Sequence, residues 1–124
     1  MQMHTNNSLV ARNFYLFFTV VWTFAVIVAS NIPASDIPSI LPNNSDILIH
    51  FIWYSVMTFG MILSLKHKVS RPVVTALLLT ISIGLMNEFL QKILSVGRSF
   101  ELSDILSNTL GSLIGTLPFV INRR

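Results

Sequence analysis

Four apolar segments, each about long enough to cross a lipid bilayer as a helix, constrain this chain more than any other feature of its sequence. They run over residues 14–30, 47–65, 73–94 and 104–121. A helix rises about 1.5 Å per residue, so about 20 residues span a hydrocarbon core roughly 30 Å thick. With 52% hydrophobic and only 10% charged residues, the chain is too apolar for a soluble globule of 124 residues. The sequence predicts an all-α membrane protein, a compact bundle of four transmembrane helices.

Turn-forming and basic residues separate these segments. Residues 31–45 contain three prolines and two consecutive asparagines, a composition that ends helices and favours turns. A basic stretch over residues 66–71 follows the second segment, and Gly97 marks a turn after the third. Internal repeats and low-complexity tracts are absent from the sequence, so we expect residues 1–124 to form one domain.

The first segment also permits a second interpretation. It follows Arg12 and ends in three small residues, Val28, Ala29 and Ser30, which resemble a signal-peptide cleavage site. Its apolar run is long for a signal peptide, and we therefore expect a retained transmembrane helix.

The basic residues predict the orientation of the bundle, because Lys and Arg that flank membrane helices stay on the cytoplasmic side. With both termini in the cytoplasm, six of the eight basic residues are cytoplasmic: Arg12, Lys66, Lys68, Arg71, Arg123 and Arg124. The same topology places all five acidic residues at or near the outer face: Asp36, Asp46, Glu88, Glu101 and Asp104. We predict cytoplasmic termini and a polar site toward the extracytoplasmic side.

Charge and cysteine content exclude two classes of function. The formal net charge of +3 does not indicate nucleic-acid binding, because the basic residues form short clusters between apolar runs instead of a stripe interleaved with aromatics. The chain has no cysteine, which excludes disulfides, thiolate nucleophiles and cysteine-ligated metal sites.

Glu88 is the residue that a bilayer environment explains least well. A carboxylate near the bilayer centre costs about 2.5 to 3.5 kcal/mol on insertion scales, so an intramembrane acid suggests a function. Gly84, Glu88 and Gln91 share one face of the third helix by their spacing. Neither capping nor snorkelling accounts for Glu88 and Gln91 within one apolar run. The pair predicts a functional polar site inside the bundle.

The second and fourth segments carry polar stripes of the same kind. Near the start of the second segment, polar side chains recur every four residues at Asp46, His50 and Tyr54. Near the start of the fourth segment, Asp104 and Asn108 have the same spacing. Arg98, in the turn after the third segment, is the expected counter-charge, because a paired carboxylate is cheaper to bury than a lone one. The candidate ligand-binding residues are Asp46, His50, Tyr54, Glu88, Gln91, Arg98, Asp104 and Asn108.

Structural interpretations compete at several of these positions. Asp46 and Asp104 can cap helix N-termini, and His50 can be a neutral hydrogen-bonding core residue. Gly111 and Gly115, four residues apart, indicate close helix packing. A metal site formed by Asp46, His50, Glu88 and Asp104 is conceivable. The spacing of Asp46 and His50 is generic, however, and no paired-histidine motif supports zinc. We expect no metal and no other cofactor.

The ordered combination of these residues resembles the VanZ-like family of bacterial membrane proteins. The resemblance covers roughly residues 31–117, and its most specific part is the string NEFLQKILSVGRSFELSDILSNTLGSLIG. The first half departs in one respect, since Ile47 follows Asp46 where the family commonly has a basic residue. The resemblance implies a multi-pass protein of the bacterial cytoplasmic membrane. The family's namesake is associated with low-level resistance to the lipoglycopeptide teicoplanin, and no established catalytic mechanism comes with it.

Two functions follow from these observations. The first is a binding or exclusion protein whose outward polar site recognises a lipid-linked cell-wall intermediate or a lipoglycopeptide, contributing to glycopeptide resistance or envelope homeostasis. Its partners would be membrane lipids or lipid-linked amphiphiles, and a homo-oligomer or a membrane partner stays possible through the glycine face. The alternative is an intramembrane enzyme acting on a lipid or isoprenoid head group, with Glu88 or Asp104 as base and His50 as acid. Without a recognisable nucleophile or metal triad, the sequence favours the binding protein.

Overall fold

The computed structural model describes residues 2–36, 45–94 and 101–122. These ranges contain four α-helices: α1 (Gln2–Ser30), α2 (Ser45–Leu65), α3 (Pro72–Leu94) and α4 (Leu102–Ile121). A short 3-10 helix, Ala34–Asp36, follows α1, and no strand occurs among the described residues. Each α-helix contains a stretch long and apolar enough to cross a membrane, which confirms the predicted fold class. The orientation of the termini stays a prediction.

The apolar segments predict the helix ends better than the helix starts. All four helices end at the residue that the sequence predicts, whereas α1 begins at Gln2 instead of residue 14. Residues 2–13 contain no proline or glycine, so no helix breaker stops α1 from continuing before its apolar part. The stretch of α1 suited to a membrane is Leu9–Ser30. Apolarity therefore marks the membrane-spanning part of α1 and not its full length.

Contacts between side chains define an antiparallel bundle around α2. Thr58 of α2 donates a hydrogen bond of 3.0 Å to Thr80 of α3. Thr19 of α1 lies 3.1 Å from the hydroxyl of Ser64 at the far end of α2. Further along, Trp22 of α1 donates a hydrogen bond to the carbonyl of Trp53, and Gly84 of α3 lies against Tyr54. Helices α1 and α3 therefore both run opposite to α2, which contacts all three other helices.

Helix α4 runs parallel to α2 and packs on it at very short range. A Cβ atom at Gly111 would overlap the carbonyl oxygen of Phe51, and one at Gly115 would overlap that of Ser55. Ser55 Oγ also donates a hydrogen bond of 2.8 Å to the carbonyl oxygen of Gly111. The two glycines allow the helix backbones to touch, as small residues commonly do in membrane bundles.

The interior of the bundle is polar and its outer surface is apolar. Threonine, serine and amide side chains fill much of the interior, and the cluster of buried apolar side chains is small: Val26, Tyr54 and Met57. Large apolar side chains such as Phe17 and Phe24 are 69% exposed. A water-soluble protein would bury such side chains, whereas a bilayer solvates them.

Candidate functional site

Three ionisable side chains from three helices meet inside the bundle. His50 lies near the start of α2, Glu88 near the end of α3 and Asp104 near the start of α4. Because α3 runs opposite to α2 and α4, these three helix ends lie on the same side of the bundle. We call these residues the His–Glu–Asp cluster.

The members of the His–Glu–Asp cluster are close together and buried. Each offers one nitrogen or oxygen ligand atom, and these atoms all lie within 4.8 Å of one another. His50 Nδ1 is 3.7 Å from a carboxylate oxygen of Asp104. Glu88 is 0%, His50 3% and Asp104 8% exposed. One imidazole and two carboxylates at this spacing can exchange protons, accept hydrogen bonds or bind a cation.

Tyr54 and Asn108 form the next layer of the interior. A Cβ atom at Gly84 would lie 3.2 Å from the Tyr54 ring and 3.3 Å from Cβ of Asn108. The absence of a side chain at Gly84 therefore lets both residues pack against α3 one turn before Glu88. Within the described part of the chain, neither the nitrogen nor the oxygen of the buried Asn108 carboxamide has a hydrogen-bond partner.

Gln91 connects α3 to the end of α1. Its Nε2 donates a hydrogen bond of 2.6 Å to the backbone carbonyl of Ser30. One turn earlier on α3, the Asn87 side chain accepts a hydrogen bond of 3.0 Å from Asn31. The structure thus places Gln91 in a contact between helices, and its role in ligand binding stays a prediction.

Sequence reasoning did not single out Asn87 or Asn31. Asn87 is 1% exposed and directly precedes Glu88. A second polar residue inside an apolar run was the feature that could have drawn attention to it. In the sequence, Asn31 begins the proline-rich stretch between the first two segments, and asparagine is common in such loops.

The structure does not bring Asp46 to the His–Glu–Asp cluster. Asp46 lies in the first turn of α2 and is exposed, and Ser45 Oγ lies 3.5 Å from its carboxylate. Arg98, the expected counter-charge, lies outside the described residues. Ligand binding by Asp46 and by Arg98 stays a prediction.

An apolar groove runs between α2 and α4, and none of the three cluster residues lines it. It has a volume of about 620 Å³. It flanks the turns of the two helices that carry His50 and Asp104. Ser107, whose hydroxyl donates to the backbone carbonyl of Ile47, lies at the junction of the two helices. The lining residues are Ile47, Leu48, Phe51, Ser103, Leu106, Ser107 and Leu110.

In the part of the chain that the structure describes, four membrane-length helices and a buried cluster of ionisable residues define a small multi-pass membrane protein with a polar intramembrane site. Within that class, the VanZ/LLP1 family model matches residues 2–123, and the chain belongs to this family of bacterial membrane proteins. The match confirms the resemblance expected from the sequence and extends it over α1. No curated protein and no solved structure shows significant similarity to the chain.

Proposed function

We propose that this protein binds a membrane amphiphile, with the polar head group at the His–Glu–Asp cluster and the hydrocarbon chain in the groove between α2 and α4. The ligand class is a lipid-linked cell-wall intermediate or a lipoglycopeptide such as teicoplanin. The observation that supports this proposal is the position of the groove, which lies along the turns of α2 and α4 that carry His50 and Asp104.

The chemistry of the cluster suits a head group rich in hydrogen-bond donors. The carboxylates of Glu88 and Asp104 accept hydrogen bonds from hydroxyl, amide or amine groups, and charge-assisted bonds of this kind are about twice as strong as neutral ones. His50 can donate or accept, and the Asn108 carboxamide can do both. Arg98 would bind an anionic part of the head group, as the sequence predicts. In the predicted orientation, the ligand enters from the outer leaflet.

The groove suits the apolar part of the same ligand. Five of its seven lining side chains are apolar, and the other two are serines of α4, one and three residues from Asp104 in sequence. Transfer of an acyl or isoprenyl chain from lipid to an apolar groove changes its free energy little. The groove would therefore orient the ligand more than it would raise the binding affinity. Specificity would then come from the head group.

The close contact of His50 with Asp104 favours one further candidate, an intramembrane enzyme that acts on a lipid or isoprenoid head group. A carboxylate beside an imidazole can orient the ring for acid–base catalysis. Turnover of a labelled lipid-linked substrate by the purified protein, lost in Glu88→Gln, would establish this enzyme. Binding without turnover would support the proposed binding protein.

The experiment that tests the binding function combines a phenotype with a direct measurement. A teicoplanin-sensitive bacterium expresses the wild type, Glu88→Gln, Arg98→Gln or Asp104→Asn at matched membrane levels, and teicoplanin susceptibility is measured. The purified proteins in nanodiscs are titrated with teicoplanin and with a lipid-linked cell-wall intermediate. We expect the wild type to bind one of these ligands and the variants to bind it at least tenfold more weakly. Equal binding by all four proteins would contradict the proposal.

A further inference from the structure

Against the expectation from the sequence, we propose that the His–Glu–Asp cluster is a binding site for a divalent transition-metal ion of the Zn²⁺ or Mn²⁺ type. The site shares its residues with the proposed amphiphile site, but metal binding does not require an amphiphile. It requires only the three side chains of His50, Glu88 and Asp104.

The donor atoms and their spacing fit such an ion. Imidazole nitrogen and carboxylate oxygen are common zinc ligands, at distances of about 2.0 to 2.2 Å from the metal. In a tetrahedral site these bond lengths place neighbouring ligand atoms about 3.4 Å apart. His50 Nδ1 and the Asp104 carboxylate are 3.7 Å apart, and one ligand atom of Glu88 lies within 4.8 Å of those of the other two residues. Three protein ligands would leave the fourth tetrahedral position to water or to a ligand oxygen.

The charge of the cluster also suits a divalent cation. Glu88 and Asp104 come from different helices and bring two carboxylates into one buried region. A divalent ion with a neutral imidazole balances the formal charge of both carboxylates. It would also let this acidic site accept an anionic head group, such as a lipid phosphate.

Asn108 supplies a second observation, a buried amide without a partner among the described residues, one helical turn from Asp104. Its side chain is 2% exposed, and neither of its amide atoms has a hydrogen-bond partner within the described part of the chain. It lies one turn from Asp104 on α4 and packs against Gly84, one turn from Glu88. A buried amide without a partner costs about 1 to 3 kcal/mol. A water molecule or ligand oxygen bound to the metal is the kind of group that would satisfy it.

The donor set determines which ions are expected. Carboxylates suit Mn²⁺, imidazole suits Zn²⁺, and a mixed set binds Zn²⁺ more tightly than Mn²⁺ by the general order of stability. Ca²⁺ takes six to eight oxygen ligands and finds too few here. The expected order of affinity is therefore Zn²⁺, then Mn²⁺, with Ca²⁺ much weaker.

The test uses the full chain, purified in detergent after removal of metals with a chelator. Zn²⁺, Mn²⁺ and Ca²⁺ are titrated by calorimetry in the absence of teicoplanin and of any lipid-linked intermediate. We expect one Zn²⁺ per chain, binding at least tenfold weaker in His50→Gln and Glu88→Gln, and about tenfold weaker in Asn108→Ala. Asp36→Asn is the matched control, because it removes an exposed carboxylate outside the cluster, and it should bind Zn²⁺ like the wild type.

The outcomes separate this inference from the proposed function. If the wild type binds neither Zn²⁺ nor Mn²⁺ stoichiometrically, the metal site is overturned. This outcome does not depend on whether the variants fold. Equal weakening by Asp36→Asn also overturns it, because Zn²⁺ would then bind surface carboxylates and not the cluster. Amphiphile binding measured with chelator present tests the proposed function separately from the metal.

Discussion

Gly111 of α4 lies directly against the backbone of Phe51 in α2, so that a Cβ atom at position 111 would overlap the Phe51 carbonyl oxygen. This backbone contact fixes the register of α4 along α2. Since His50 and Asp104 belong to these two helices, their distance of 3.7 Å depends on the same register. The glycine contact thus positions two of the three residues of the His–Glu–Asp cluster.

Replacing Gly111 with valine should destabilise the bundle. The branched side chain can fit only if α4 moves away from α2, and overpacking of this kind typically costs about 1 to 3 kcal/mol. We expect a lower melting temperature for Gly111→Val in detergent, measured by circular dichroism. The matched control is Leu110→Val, because Leu110 is 55% exposed and should tolerate the change. Equal melting temperatures for both variants would contradict the packing role of Gly111.

Gln91 should act through stability and not through the ligand. Methionine has a similar shape but cannot donate the 2.6 Å hydrogen bond to Ser30. A neutral hydrogen bond is worth about 0.5 to 1.5 kcal/mol, so Gln91→Met should lower the free energy of unfolding by this amount and leave amphiphile binding unchanged. Thermal unfolding and nanodisc titration measure the two effects, with exposed Lys92→Met as the control. Lost binding at unchanged stability would instead support the ligand-binding role predicted from the sequence.

Helical geometry explains why some polar stripes predicted the buried residues and one did not. A step of four residues turns a helix by about 400°, so residues spaced by four drift about 40° at each step. Asp46 and Tyr54 therefore point about 80° apart, and Asp46 is exposed while His50 and Tyr54 are buried. Alternating steps of four and three cancel most of the drift. Glu88 and Gln91 are accordingly both buried after Gly84.

The contacts of α1 could not be predicted in the same way. Gln91 binds a backbone carbonyl of Ser30, and every residue offers such an acceptor, so the side chains of α1 do not reveal it. Asn31 reaches Asn87 because α1 ends beside the last turns of α3. Residue periodicity shows which face of a helix is buried, but it does not show which helix lies opposite.

The orientation of the bundle can be tested with single cysteines, since the chain has none of its own. Ser35 and Ser70 are exposed and lie at opposite ends of the bundle, after α1 and between α2 and α3. If the basic stretch over residues 66–71 is cytoplasmic, Ser35→Cys should react with an impermeant maleimide in intact cells and Ser70→Cys only after permeabilisation. The reverse pattern would place the His–Glu–Asp cluster toward the cytoplasm.

Substitution of Asp104 and of Asp46, two acids at corresponding positions near the starts of α4 and α2, should have very different effects on ligand binding. Asp104 lies in the bundle interior 3.7 Å from His50, whereas Asp46 is exposed at the start of α2. Asp104→Asn keeps the shape but removes the charge beside the imidazole, so amphiphile and Zn²⁺ binding should each weaken at least tenfold. Asp46→Asn should leave binding unchanged and shift the free energy of unfolding by no more than about 0.5 kcal/mol, as expected for a surface substitution. Titrations of both variants in nanodiscs, beside thermal unfolding, measure the difference. Equal losses in both variants would show that the functional site extends along α2 to the exposed Asp46, as the four-residue spacing first suggested.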